Sequence, residues 1–176
     1  DVEITGNTIT NSLRIAGRSI YTSQLKNCRI KNNTFYCRKE VMDYWNFAME
    51  LFNPRGGMEI FENTVFGGGT IDVAGHSIEK GEYSFSVSVH DNYQILADPV
   101  EYDDNIVVAI TIEAWEKIES VYVYNNYIRN FPWGINCTMG KYNKWGGNGK
   151  IDYLFIYNNV CLFYTSDAAD DLLSAY

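Results

Sequence analysis

The chain has 176 residues and a formal charge of −8, with 14 Lys and Arg against 22 Asp and Glu. It carries no basic run of the kind that phosphate neutralisation demands, which argues against nucleic acid as a partner. No apolar stretch approaches the roughly 18 residues of a membrane-spanning helix, and the length suits one ordinary domain with a sizeable core.

Val2, Ile4, Asn7 and Ile9 open the chain with apolar residues spaced by two, interrupted by an asparagine. Spacing of two is strand periodicity. It predicts two short strands joined at a bend that carries Asn7, and Leu13-Arg14-Ile15 predicts a third. The same succession then returns. Cys28, Ile30, Asn33 and Phe35 precede Phe47–Leu51, and Met58, Ile60, Asn63 and Val65 precede Ile71-Asp72-Val73. Val87, Val89 and Asn92 precede Ile110–Glu113, and Val121, Val123, Asn126 and Ile128 precede Ile135-Asn136-Cys137. Leu154, Ile156, Asn159 and Cys161 form the last copy. The asparagines are 26, 30, 29, 34 and 33 residues apart, so the motif is tight while the period is loose. An internal repeat of this size predicts a stacked solenoid.

Asparagine suits such a bend because it tolerates the left-handed backbone conformation. Stacked on its counterparts, its amide can also bond to the next rung and satisfy polar groups that are costly to bury bare. Gln94 occupies a slot where the other copies are apolar, which predicts a bulge that turns Ile95 inward. The layout is all-β: a right-handed parallel β-helix solenoid of about six rungs, three strands per rung, with an Asn ladder at one turn. A sandwich or barrel would not return the asparagine to one register six times.

The motif copies and this layout resemble the pectate-lyase-like β-helix superfamily over residues 2 to about 160. The resemblance is to the repeat and to no single enzyme family. It implies a secreted or cell-surface carbohydrate-active protein with a polysaccharide as partner. The repeat does not speak to oligomeric state.

Residues 1–160 are therefore read as the solenoid, a piece of a longer one. From Cys161 onward the chain resembles the translation of a transposase adapter used in sequencing libraries, with Phe163 as the departure. Residues 161–176 are accordingly expected to be a non-native tail; the alternative is an acidic capping helix over Asp167–Ala175. The four cysteines give no disulfide framework. Cys28 and Cys161 fill apolar slots and Cys137 alternates inward with Ile135, as buried thiols do, while Cys28–Cys37 is the one pair to be tested for a bond.

Chemistry is expected on the third strand. With Met49 and Leu51 inward, Glu50 points out, and the same alternation turns out Asp72, Glu113, Asn136 and Arg14. Rungs lie about 4.8 Å apart, where stacked carboxylates repel, so a column of three acids is poor surface decoration. Glu50, Asp72 and Glu113 are the candidate acid, base or nucleophile of glycoside hydrolysis: adjacent carboxylates at about 5 Å suit a retaining pair, and Glu50 with Glu113, two rungs apart at about 9.5 Å, an inverting one. Repulsion would keep one of them protonated beside an ionised partner. Hydrolysis requires no cofactor. Alternatively Glu50, Asp72, Glu113 and Asn136 supply the hard oxygens that Ca²⁺ prefers, in a lyase acting on a uronate polymer with Arg14, His76 or a tyrosine as base.

The candidate sugar contacts are Arg14, His76 and Asn136 with the aromatics Tyr44, Trp45, Phe52, Trp115 and Trp133, whose flat rings offer stacking faces at small entropic cost. Each has a plainer role: a Trp over a β-helix often seals the core, and a loop His is often idle. A non-catalytic glycan-binding module, adhesin-like or tailspike-like, is the alternative to the enzyme.

Overall fold

A computed structural model describes residues 1–10, 13–16, 26–37, 47–52, 55–75, 85–96, 107–114, 117–139 and 149–162. The described chain is a parallel β-solenoid of three sheets, with strands numbered in chain order. The first sheet holds β1 (Val2–Thr5), β4 (Lys26–Lys31), β7 (Arg55–Phe61), β10 (Phe85–His90), β13 (Lys117–Tyr124) and β16 (Lys150–Tyr157). The second holds β2 (Thr8–Thr10), β5 (Thr34–Tyr36), β8 (Thr64–Phe66), β11 (Tyr93–Ile95), β14 (Tyr127–Arg129) and β17 (Val160–Leu162). The third holds β3 (Leu13–Ala16), β6 (Phe47–Phe52), β9 (Thr70–Gly75), β12 (Val108–Ala114) and β15 (Trp133–Met139). Among the described residues there is no helix.

The core follows from the alternation. In the first sheet Cys28, Met58, Val87 and Val121 stack in register, as do Ile30, Ile60, Val89 and Val123, and all eight are buried. Phe35, Val65 and Ile128 close the core from the second sheet, and Met49, Leu51, Ile71, Val73, Ile110 and Ile112 from the third. Burying such side chains is worth roughly 1.5–3 kcal/mol each. All four cysteines are free, so Cys28 and Cys37 form no bond with each other. Both are buried, and loss of water pushes their thiols up to about 11.

The asparagine ladder runs from end to end. In each step the backbone N–H and side-chain amide of one Asn donate to the Oδ1 of the next: Asn33 to Asn63 at 3.1 and 3.0 Å, and Asn63 to Asn92 at 3.0 and 3.0 Å. The same amide donates to a strand carbonyl of the preceding rung, as from Asn63 Nδ2 to Ile30 O at 2.8 Å. The left-handed residue of the bend is not the ladder asparagine but the one before it. Gly6, Asn32, Glu62, Asp91, Asn125 and Asn158 take φ between 53° and 70°. The neighbour makes the turn, and the ladder Asn is free to bond.

Gln94 corrects a second expectation. It pairs in register with Val65 and Ile128 with no bulge, and points inward itself, fully buried. Its Nε2 donates to Ala109 O at 2.9 Å, which compensates one end of the amide inside an apolar core. Cys161 and Leu162 continue β17 in register with Ile128 and Arg129. The rest of the expected tail lies outside the described residues.

Candidate functional site

Alternation in the third sheet puts Glu50 outward between the buried Met49 and Leu51, and Asp72 outward between the buried Ile71 and Val73. The two acids are direct partners on β6 and β9. Arg14 pairs with Glu50 on the other side, its side chain lying outside the described set. Beyond Asp72 the column continues through Thr111 to Asn136.

Glu113 therefore does not stand where alternation placed it. It pairs with Ala74 and Thr138, two residues further along β12, a lateral step of about 6.6 Å. The run Ile110-Thr111-Ile112-Glu113 offers two registers of the same parity, and alternation cannot choose between them. Contacts at the strand entry coincide with the observed choice: Thr70 Oγ1 donates to Val108 O at 2.6 Å, and Gln94 holds Ala109 O. Glu113 remains on the outward face and diagonal to Asp72, close enough for its charge to act there.

This outward face is not an open one. Glu50 is 7% exposed, Asp72 3% and Thr111 7%. Exposure rises toward β15, through the half-buried Glu113 and Asn136 to the exposed Thr138. Asp72 Oδ1 is buried without a hydrogen-bond partner. Burial, followed by the negative charges of Glu113 and Glu50, holds the Asp72 carboxyl well above the usual carboxylate range. Asp72 thus keeps its proton to higher pH than a free aspartate does. Among the described residues no three His, Cys, Asp or Glu side chains converge to hold a metal ion; of the oxygens expected for Ca²⁺, Glu50, Asp72 and Asn136 share this column and Glu113 lies in the next.

Trp133 is 49% exposed at the start of β15, with its N–H donating to Val107 O at 3.2 Å. It has the opposite parity to Asn136 in the strand. Phe52 pairs with Ala74 in the same lateral column as Glu113, and its side chain is outside the described set. Tyr44, Trp45, His76 and Trp115 lie outside the described residues.

Two features were not anticipated. Thr111 occupies the column position expected for an acid. On the first sheet, the residues two before the last four ladder asparagines form a stack: Phe61 on His90 at 5.0 Å, His90 on Tyr124 at 4.6 Å, and Tyr124 on Tyr157 at 5.0 Å, all within 8° of parallel. Their constant offset from the asparagine was the available signal. Comparison with known protein families, with curated proteins and with solved structures returns no match.

Proposed function

We propose that this β-helix is a carbohydrate-active protein that cleaves a glycosidic bond on the outer face of its third sheet, with Asp72 as general acid and Glu50 as the paired carboxylate. The observation that carries this is the Asp72 carboxyl: buried, unpartnered at Oδ1, and flanked by two negative charges. A carboxyl perturbed by desolvation and by specific charged neighbours is a signature of functional sites, and pairs of acids whose environments differ mark acid and partner.

Adjacent strands place the two backbones about 4.8 Å apart, in keeping with the close carboxyl spacing of retaining hydrolysis. Asp72 gives its proton to the glycosidic oxygen as the C–O bond breaks, and a Glu50 carboxylate oxygen bonds to the anomeric carbon. Water then adds to that carbon, displacing Glu50 and returning its proton to Asp72. Substrate enters from the more open side at Glu113, Asn136 and Thr138. A neutral glycan is favoured, because Glu50 and Glu113 bring negative charge to this face, and that charge repels a uronate polymer. The resemblance to the pectate-lyase-like superfamily supports a polysaccharide substrate and a secreted or cell-surface setting.

The burial of Glu50 and Asp72 also favours a second reading, a glycan-binding module of adhesin or tailspike type in which the acids serve no turnover. Reducing-end release separates the two, measured on neutral and uronate polysaccharides with and without Ca²⁺, for the wild type, Asp72→Asn and Glu50→Gln. Loss of a positioned acid or base is expected to lower the rate by about 10²–10⁴-fold with circular dichroism unchanged. A folded protein that releases nothing, or variants as active as the wild type, refutes the enzyme.

A further inference from the structure

The outer face of the first sheet carries a groove of about 670 Å³, within the range of ligand sites. Its floor is one in-register column crossing five strands: Glu3, Arg29, Glu59, Ser88 and Tyr122. At the strand spacing the groove runs for about 19 Å along the solenoid axis. We propose that it binds a neutral, hydroxyl-rich oligosaccharide. The groove lies on a different sheet from the acid pair and does not depend on the cleavage reading.

Three observations select that ligand. Among the stacked rings of this sheet His90 and Tyr124 use both faces, whereas Tyr122 uses one. One face lies on Phe155 at 5.0 Å and 7°. The other looks along the groove over Ser88, which has no ring to cover it. An aromatic face ending a polar trough suits the apolar side of a pyranose. Second, the charges are internally matched. Arg29 Nε meets Glu59 Oε2 at 2.8 Å, and Lys31 Nζ meets Glu3 Oε1 at 2.8 Å, so the floor presents donors and acceptors without one dominant sign. Third, hydroxyl and amide groups line the trough. Ser120 Oγ donates to Ser86 Oγ at 2.9 Å, leaving the Ser86 hydrogen to give, and the exposed Asn27 amide donates to Asp1 Oδ1 at 2.9 Å and accepts from Gly57 N–H at 3.1 Å. Gly57 leaves open space where a Cβ would project, so nothing divides the trough.

The test is calorimetric titration of the full chain with cellotetraose, laminaritetraose, mannotetraose and xylotetraose, and with tetragalacturonate as the anionic comparison. At least one neutral sugar is expected to bind. Tyr122→Ala should weaken it about tenfold or more, and Ser88→Tyr, which covers the open ring face, should weaken it similarly. Tyr122→Phe should retain it, and the Glu50→Gln/Asp72→Asn double variant, which removes the proposed turnover, should keep the Tyr122-dependent binding. The proposal is overturned if no neutral sugar binds, if tetragalacturonate binds best, or if Tyr122→Ala and Ser88→Tyr, folded by circular dichroism, bind unchanged. Loss of binding in the acid double variant alone would also overturn it, by moving the sugar to the third sheet.

Discussion

Replacing Asn63 by alanine removes the centre of the ladder without touching the apolar core. Asn63 is 1% exposed. Its Oδ1 accepts from Asn33 N–H at 3.1 Å and from Asn33 Nδ2 at 3.0 Å. Its own Nδ2 donates to Ile30 O, Phe61 O and Asn92 Oδ1 at 2.8, 3.0 and 3.0 Å. The truncation orphans the Asn33 N–H, a cost of about 1–3 kcal/mol, and strips three acceptors of a partner at about 1 kcal/mol or less each. The sum is about 3–5 kcal/mol, a large share of the 5–15 kcal/mol that typically holds a domain. With a urea slope of about 2 kcal/mol/M, the midpoint falls by about 2 M, read by far-ultraviolet circular dichroism. Asn7→Ala is the internal control. Asn7 is exposed at the first rung, donating to Thr5 O and Asn33 Oδ1, both at 3.0 Å. Its loss orphans no deeply buried group and should cost less than about 1 kcal/mol. Equal midpoints for the two variants would refute the claim that the ladder stabilises through its buried bonds.

Glu62 holds φ 55° at a bend where other turns use Gly, Asn or Asp, so Glu62→Asn should stabilise by about 0.5–1 kcal/mol in the same titration; a loss would show that the side chain matters more than the backbone strain. Gly69→Ala should destabilise by about 3 kcal/mol, because the new Cβ meets the Ala48 backbone nitrogen at 2.6 Å as well as Cys37 Sγ, and a wild-type midpoint would refute that packing. Asp72→Asn should raise stability at neutral pH. A folded pKa above the unfolded value of about 3.9 means the wild type loses stability as pH climbs from there through the folded pKa, while the amide does not titrate. Urea midpoints for the two proteins should therefore diverge with rising pH, and parallel profiles would refute the raised pKa.

The repeat was legible because two signals agreed. Spacing of two named the strand faces, and the asparagines marked one turn of every rung, so the first two sheets could be read from residues such as Ile30, Asn33 and Phe35. The third sheet lacked a marker of that kind. Gln94 departs from the pattern because its slot is apolar in the other copies, yet its amide reaches the Ala109 carbonyl across 15 residues of chain, a partner that no local pattern reveals. The left-handed site is one residue from the ladder Asn, and the pattern does not separate them because asparagine suits both, as the adjacent Asn32 and Asn33 show.

Glu113 shows why a solenoid sequence reveals faces more readily than sites. Alternation is indifferent to a slip of two residues: the side chain stays outward and the core stays filled, so both registers of Ile110-Thr111-Ile112-Glu113 satisfy the same hydrophobic pattern. Burial therefore determines the face, whereas the lateral column depends on where the preceding segment delivers the strand. The consequence here is chemical. Had Glu113 stood beside Asp72, three carboxylates would share one column. With Thr111 in that place, Asp72 has a single acidic neighbour in register, Glu50, and a second acting diagonally. That arrangement suits the paired acid and carboxylate on which the proposed glycoside hydrolysis rests.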